Sequence, residues 1–220
     1  MTLTTFFGCA FTAYGPSLAI FFGSIAPNAQ LVILMVSSAF FWLISVLLAS
    51  AIWYMASDSR NTFPVTIIYT VLLQELFRYF LYLLINRAES GLNMVAMHPK
   101  SKFNRSYITQ LVNSLGPGVI MCESCKTVSL YFISAITTSI LILHHCAWMM
   151  ISFTGFTNRS WLRIAWVVIT HYGASYLTIL NSSPTINYGC AYQIIGNVAL
   201  LIASAIIVFA DMRHLHQKLS

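Results

Sequence analysis

Residues 63–86, FPVTIIYTVLLQELFRYFLYLLIN, decide how this chain is read. The stretch is about 24 residues long, enough at about 1.5 Å per residue to cross a bilayer as a helix. Near its middle it carries Gln74, Glu75 and Arg78. A charge at the bilayer centre costs about 2.5–3.5 kcal/mol on insertion scales, so such groups face protein or a wet cavity. Gln74 and Arg78 are four apart, and Glu75 and Arg78 three apart. One helix face therefore holds all three, close enough to pair.

The surrounding composition agrees with a membrane setting. Of 220 residues, 58% are hydrophobic and 7% charged. Soluble domains carry about 25% charged residues, so the expected fold is an all-α, polytopic transmembrane helix bundle forming one integral domain. No charge precedes Asp58, which leaves room for two spans before it. The net charge of +6 lies mostly between apolar runs. There it sets orientation in the bilayer and does not suggest nucleic-acid binding. The amino terminus lacks the basic region of a cleaved signal peptide.

Six clear spans are expected, at about 3–25, 31–55, 63–86, 128–153, 161–180 and 188–210. On the first, Gly15, Ala19 and Gly23 form a small-residue stripe that lets another helix approach closely. Pro27-Asn28 makes the turn to the second span. Residues 106–121 form a weaker apolar run, about 24 Å as a helix against a core of about 30 Å. Gln110, Asn113 and Gly116-Pro117-Gly118 interrupt it, so a short or re-entrant segment is expected.

The basic residues test the count. Six crossings divide Lys and Arg evenly between the two sides. A seventh crossing within 106–121 puts Arg87, Lys100, Lys102, Arg105, Arg159, Arg163, Arg213 and Lys218 on one side. Only Arg60 and Lys126 remain opposite. That asymmetry obeys the positive-inside rule, with the amino terminus outside and the tail in the cytosol. Hydropathy supports six crossings, and charge supports seven.

Candidate chemistry is sparse. His145, beside His144, and His171 lie deep in apolar runs; each fits a packing role or a proton or ligand role. Asp58 and Asp211 sit at span edges, so no intramembrane aspartyl dyad can be built. There is no HExxH zinc motif, and no metal or cofactor is expected. Ser175 with His145 lacks the exposed elbow of a serine nucleophile. The five cysteines are too scattered for a disulfide framework, and Cys122-Glu123-Ser124-Cys125 is a lone CxxC pair. The sequons at Asn104, Asn158 and Asn181 read as chance. A small-molecule or ion carrier remains a second functional class, motivated by the two histidines and the Glu75/Arg78 face.

The residues resemble the Aph (anterior pharynx defective) subunit family of gamma-secretase. The likeness runs from Phe6-Phe7-Gly8-Cys9, Phe11 and Gly15-Pro16 through Ala39-Phe40-Phe41-Trp42-Leu43 and Leu47-Leu48-Ala49-Ser50. Leu72-Leu73-Gln74-Glu75 with Phe77-Arg78 is its most specific piece. Leu115-Gly116-Pro117-Gly118-Val119, His145 with Trp148, His171 and Leu180-Asn181 follow in order. The resemblance implies a seven-span, non-catalytic scaffold that assembles with nicastrin, presenilin and the Pen subunit among membrane lipids. Presenilin would supply the catalytic aspartates for cutting type I membrane proteins such as Notch and the amyloid precursor. It implies residence in the endoplasmic reticulum, Golgi and plasma membrane. His145 and His171 match the family's two buried histidines, tied to presenilin contact and assembly; His144 has no counterpart. The chain departs from the family pattern in lacking most of the fourth span and its glycine stripe. With a cytosolic Asn86 end, Arg78 lies on the side toward which a basic side chain can snorkel. Glu75 stays deep and needs Arg78 or a neighbouring polar group as partner, so Gln74, Glu75 and Arg78 read as packing glue.

Overall fold

The computed structural model describes residues 3–27, 29–55, 63–95, 124–125, 129–183 and 185–219. Within these the chain is helical. In a bilayer each backbone N–H and C=O must find a partner inside the segment, so apolar runs of this length become helices. The elements are α1 (Leu3–Ile20), α2 (Ala29–Met55), α3 (Phe63–Val95), α4 (Leu130–Thr157), α5 (Trp161–Leu177) and α6 (Gly189–Leu219). A π-helical turn, Phe21–Ile25, extends α1, and a 3-10 turn, Thr178–Ser182, extends α5. Several hydroxyls in the apolar helices are satisfied locally: Ser17, Ser45 and Thr170 donate to Tyr14, Trp42 and Trp166 carbonyls.

Five of the helices, α1, α2, α3, α4 and α6, are long and apolar enough to cross a membrane. The expected span 161–180 is the exception. Its α-helical part has 17 residues, about 26 Å, short of a core of about 30 Å. The 3-10 turn adds about 10 Å at its steeper rise. The helical path from Trp161 to Ser182 is thus lengthened by a change of helix type. The expected 106–121 segment lies outside the described residues.

Helix α4 is the hub. It packs against α1, α3, α5 and α6, while α2 packs on α3. Its apolar stretch is 67% buried, against 11–17% for the other four long helices. Around it, Trp148 and Ile151 pack with Val167 and Ala174 of α5. Leu81 of α3 packs with Met149 and Phe153.

The contacts also set direction. Tyr82 of α3 meets Phe153 and Phe156 near the end of α4. At the other end, the Tyr176 and Tyr172 hydroxyls of α5 donate to the carbonyls of Pro64 and Ile68. Helix α5 turns back tightly from α4, with the Ser160 N–H bonded to the Gly155 carbonyl. So α3 runs antiparallel to α5 and parallel to α4. Consecutive helices that run parallel begin at the same end of the bundle. The end of α3 and the start of α4 therefore lie at opposite ends of the bundle.

One sequence expectation is corrected. Cys125 and Cys190 form a disulfide across 65 residues of chain. Cys125 pairs outside its CxxC, because the bridge joins the approach to α4 with the first turn of α6. Ser124 completes the clasp: its carbonyl accepts the Tyr188 N–H, its N–H donates to the Asn181 carbonyl, and its Oγ accepts the Cys190 N–H. Gly189 sits in this knot with no room to spare, since a Cβ there would lie 2.3 Å from the Leu180 carbonyl oxygen.

Two outcomes are expected. Peptide mapping without reductant should recover the Cys125–Cys190 cross-link. Gly189→Ala should lower the melting temperature of the purified protein, because the backbone of Leu180 must move to admit the methyl group.

A buried polar cluster at the junction of α3, α4 and α5

The cluster starts on α3. Gln74, Glu75 and Arg78 face the protein, and Arg78 Nη1 donates to Glu75 Oε1. The Arg78 side chain is only 1% exposed. It does not reach along the helix toward water, as snorkelling would require; it turns back to its carboxylate. From α5, His171 Nδ1 donates to the same Glu75 oxygen at 2.6 Å. One deep carboxylate thus holds a guanidinium from its own helix and an imidazole from another.

Aromatic rings extend the cluster across α4. The His171 ring stacks on Trp148 with centroids 4.4 Å apart, and His144 stacks on Trp148 at 4.8 Å. His145 meets both His171 and Trp148 edge-on, at 5.1 Å each. From His144 the polar run continues into α6. Its Nε2 donates to the Asn197 carbonyl at 2.9 Å, and Asn197 Nδ2 donates to the Gln193 carbonyl. Thr137 Oγ1 donates to Gln193 Oε1 at 3.2 Å. Four helices are tied by one connected set of buried groups.

Sequence reasoning named Glu75, Arg78, His145 and His171, and the structure brings these four together. Gln74 shares their helix face, and it lines a cavity toward α2. The α1 stripe lies apart: a Cβ at Gly15 or Gly23 would meet nothing within 4 Å, and Ala19 is exposed. The buried small pair of α1 is instead Ala13 and Ser17. Two residues turn a helix by about 200°, so the stripe faces away from the side that α1 buries. Sequence reasoning missed Gln193 and Asn197, both fully buried. They stand four apart in an apolar run, the same signal that exposed Gln74 and Arg78. Asp211, expected at a span edge, pairs with Arg163 between α6 and α5.

Chemically the cluster is a fastener. Glu75 is flanked by a cation and a ring N–H, with no second carboxylate in the set. Among the described residues no group of three His, Cys, Asp or Glu is placed to hold a metal ion. Breaking a buried ion pair on one side leaves the other charge uncompensated, typically at about 3–5 kcal/mol, whereas replacing both partners by apolar groups is often neutral. Glu75→Ala should therefore strongly lower the yield of monodisperse protein and its melting temperature. The double variant Glu75→Leu/Arg78→Leu should recover much of that loss in the same thermal scan.

The sequence pattern of the family described as Aph-1 protein matches residues 4–111 and 105–214. Gamma-secretase subunit APH-1B of Mus musculus is 32% identical over 221 residues, covering 88% of this chain and 85% of that protein. Gamma-secretase subunit Aph-1 of Drosophila melanogaster is 32% identical over 201 residues, covering 83% and 84%. Gamma-secretase subunit APH1-like of Arabidopsis thaliana is 26% identical over 209 residues, covering 82% and 83%.

Proposed function

The chain belongs to the Aph-1 family, and from that premise we propose that it is a non-catalytic scaffold subunit of gamma-secretase. The observation that carries the scaffold reading is the closure of Glu75 by Arg78 and His171 inside the chain. A group that turned over substrate would present its reactive edge to a cleft. Here the deepest acid is consumed in joining α3 to α5. On this reading presenilin supplies the aspartates, and the subunit's task is to present a firm helical surface to nicastrin, presenilin and the Pen subunit. Gln74, Glu75, Arg78, His145 and His171 hold that surface in shape, while Gly15, Ala19 and Gly23 lie on an outer face of α1. The complex would act on type I membrane proteins in the endoplasmic reticulum, Golgi and plasma membrane.

Orientation follows from the same reading. Disulfides persist in oxidising compartments, which favours placing Cys125, Cys190 and the start of α4 at the lumenal end. Arg159, Arg163 and Arg213 then fall at the cytosolic end, in accord with the positive-inside rule. The parallel course of α3 and α4 supports a further crossing between them, giving the seven-span family pattern with a cytosolic tail.

Two experiments test this. The tagged chain, expressed in cells and purified in mild detergent, should carry nicastrin and presenilin with it; recovery of neither would sink the subunit reading. An epitope on the tail should stain only after cells are permeabilised, and staining of intact cells would refute the orientation.

A further inference from the structure

A narrow cavity lies between α2 and α3, with Met149 of α4 also lining it. Ser38, Trp42 and Ser45 line it from α2, and Gln74 and Arg78 from α3. Five buried polar atoms on these residues lack a hydrogen-bond partner: Ser38 Oγ, Trp42 Nε1, Gln74 Oε1, and Arg78 Nε and Nη2. Arg78 spends one nitrogen, Nη1, on Glu75. Its opposite edge carries two further N–H donors, and leaving such donors bare at this depth is costly.

We infer that this cavity is a binding site for one ordered water molecule, bridging α2 to α3. Three features select that ligand. The space open to the centre of a water-sized sphere is about 10 Å³, close to the minimum that holds one water and too little for an organic group. The partners are mixed: Trp42 and Arg78 only donate, the Gln74 oxygen only accepts, and Ser38 does either. A water accepts two hydrogen bonds and donates two, so one molecule can serve up to four of these five atoms. The charge of Arg78 is already balanced by Glu75, so an anion would bring an uncompensated charge into the bilayer. The inference rests on the packing of α2 against α3 and is independent of the subunit assignment.

A density map of the purified full chain in lipid nanodiscs, resolved well enough to show ordered solvent, decides the matter. One peak is expected within about 2.7–3.2 Å of Arg78 Nε or Nη2 and of Gln74 Oε1 or Ser38 Oγ. In the Ser38→Ala/Trp42→Phe variant, which removes both α2 partners, that peak should weaken or vanish while the helices keep their places. A map that shows other buried waters but none here would overturn the inference. So would a peak that strengthens when bromide replaces chloride, which would mark an anion, or a peak unchanged in the double variant.

Discussion

The Glu75 carboxylate is the constraint around which the other helices are arranged. It lies near the middle of the apolar stretch of α3, where an unpaired charge costs kilocalories. Arg78 answers it from one turn along the same helix, and His171 from α5. The second bond is the consequential one, because it fixes α5 against α3 in both depth and rotation. Once His171 is placed, Trp148 and His145 of α4 are placed by ring contact, and His144 carries the order on to α6. The apolar surfaces of these helices fit lipid nearly as well as they fit one another, so hydrophobicity alone selects no unique arrangement. Polar groups that are expensive to leave unmatched select it.

The same logic explains why α4 is the hub and why the lumenal end is bound covalently in the proposed orientation. Helix α4 supplies three adjacent rings to the cluster and buries most of its surface among four neighbours. Its parallel relation to α3 means that no short turn can hold the two together. The Cys125–Cys190 bridge and the Ser124 hydrogen bonds anchor the approach to α4 on α6 instead.

Much of this was readable in the residues. The helical class and the shared face of Gln74, Glu75 and Arg78 follow from composition and spacing, since a period of 3.6 is local information. The family resemblance also singled out His145 and His171, and both lie in the buried cluster. What was not readable is direction. The spacing of Gly15, Ala19 and Gly23 says that a close approach is possible, but not which side of α1 meets the protein. Cys125 and Cys190 carry no local mark of their pairing, because only the fold brings them together. Gln193 and Asn197 carry the same four-residue spacing as Gln74 and Arg78, but no neighbouring charge marks them. The end of α5 was hidden for another reason: an α-turn and a 3-10 turn have nearly the same composition and differ in rise.

The Glu75–Arg78 pair has a consequence for how the chain is made. His171 lies 96 residues beyond Glu75, so at about 5–20 residues per second it emerges from the ribosome some 5–20 s later. During that interval α3 must already enter the bilayer without its partner from α5. A lone carboxylate would oppose that entry, but a carboxylate and a guanidinium one turn apart on the same helix enter as a neutral unit. The local pair therefore lowers the cost of placing Glu75 in the bilayer before α5 exists, and the bond to His171 then locates α3 against α5.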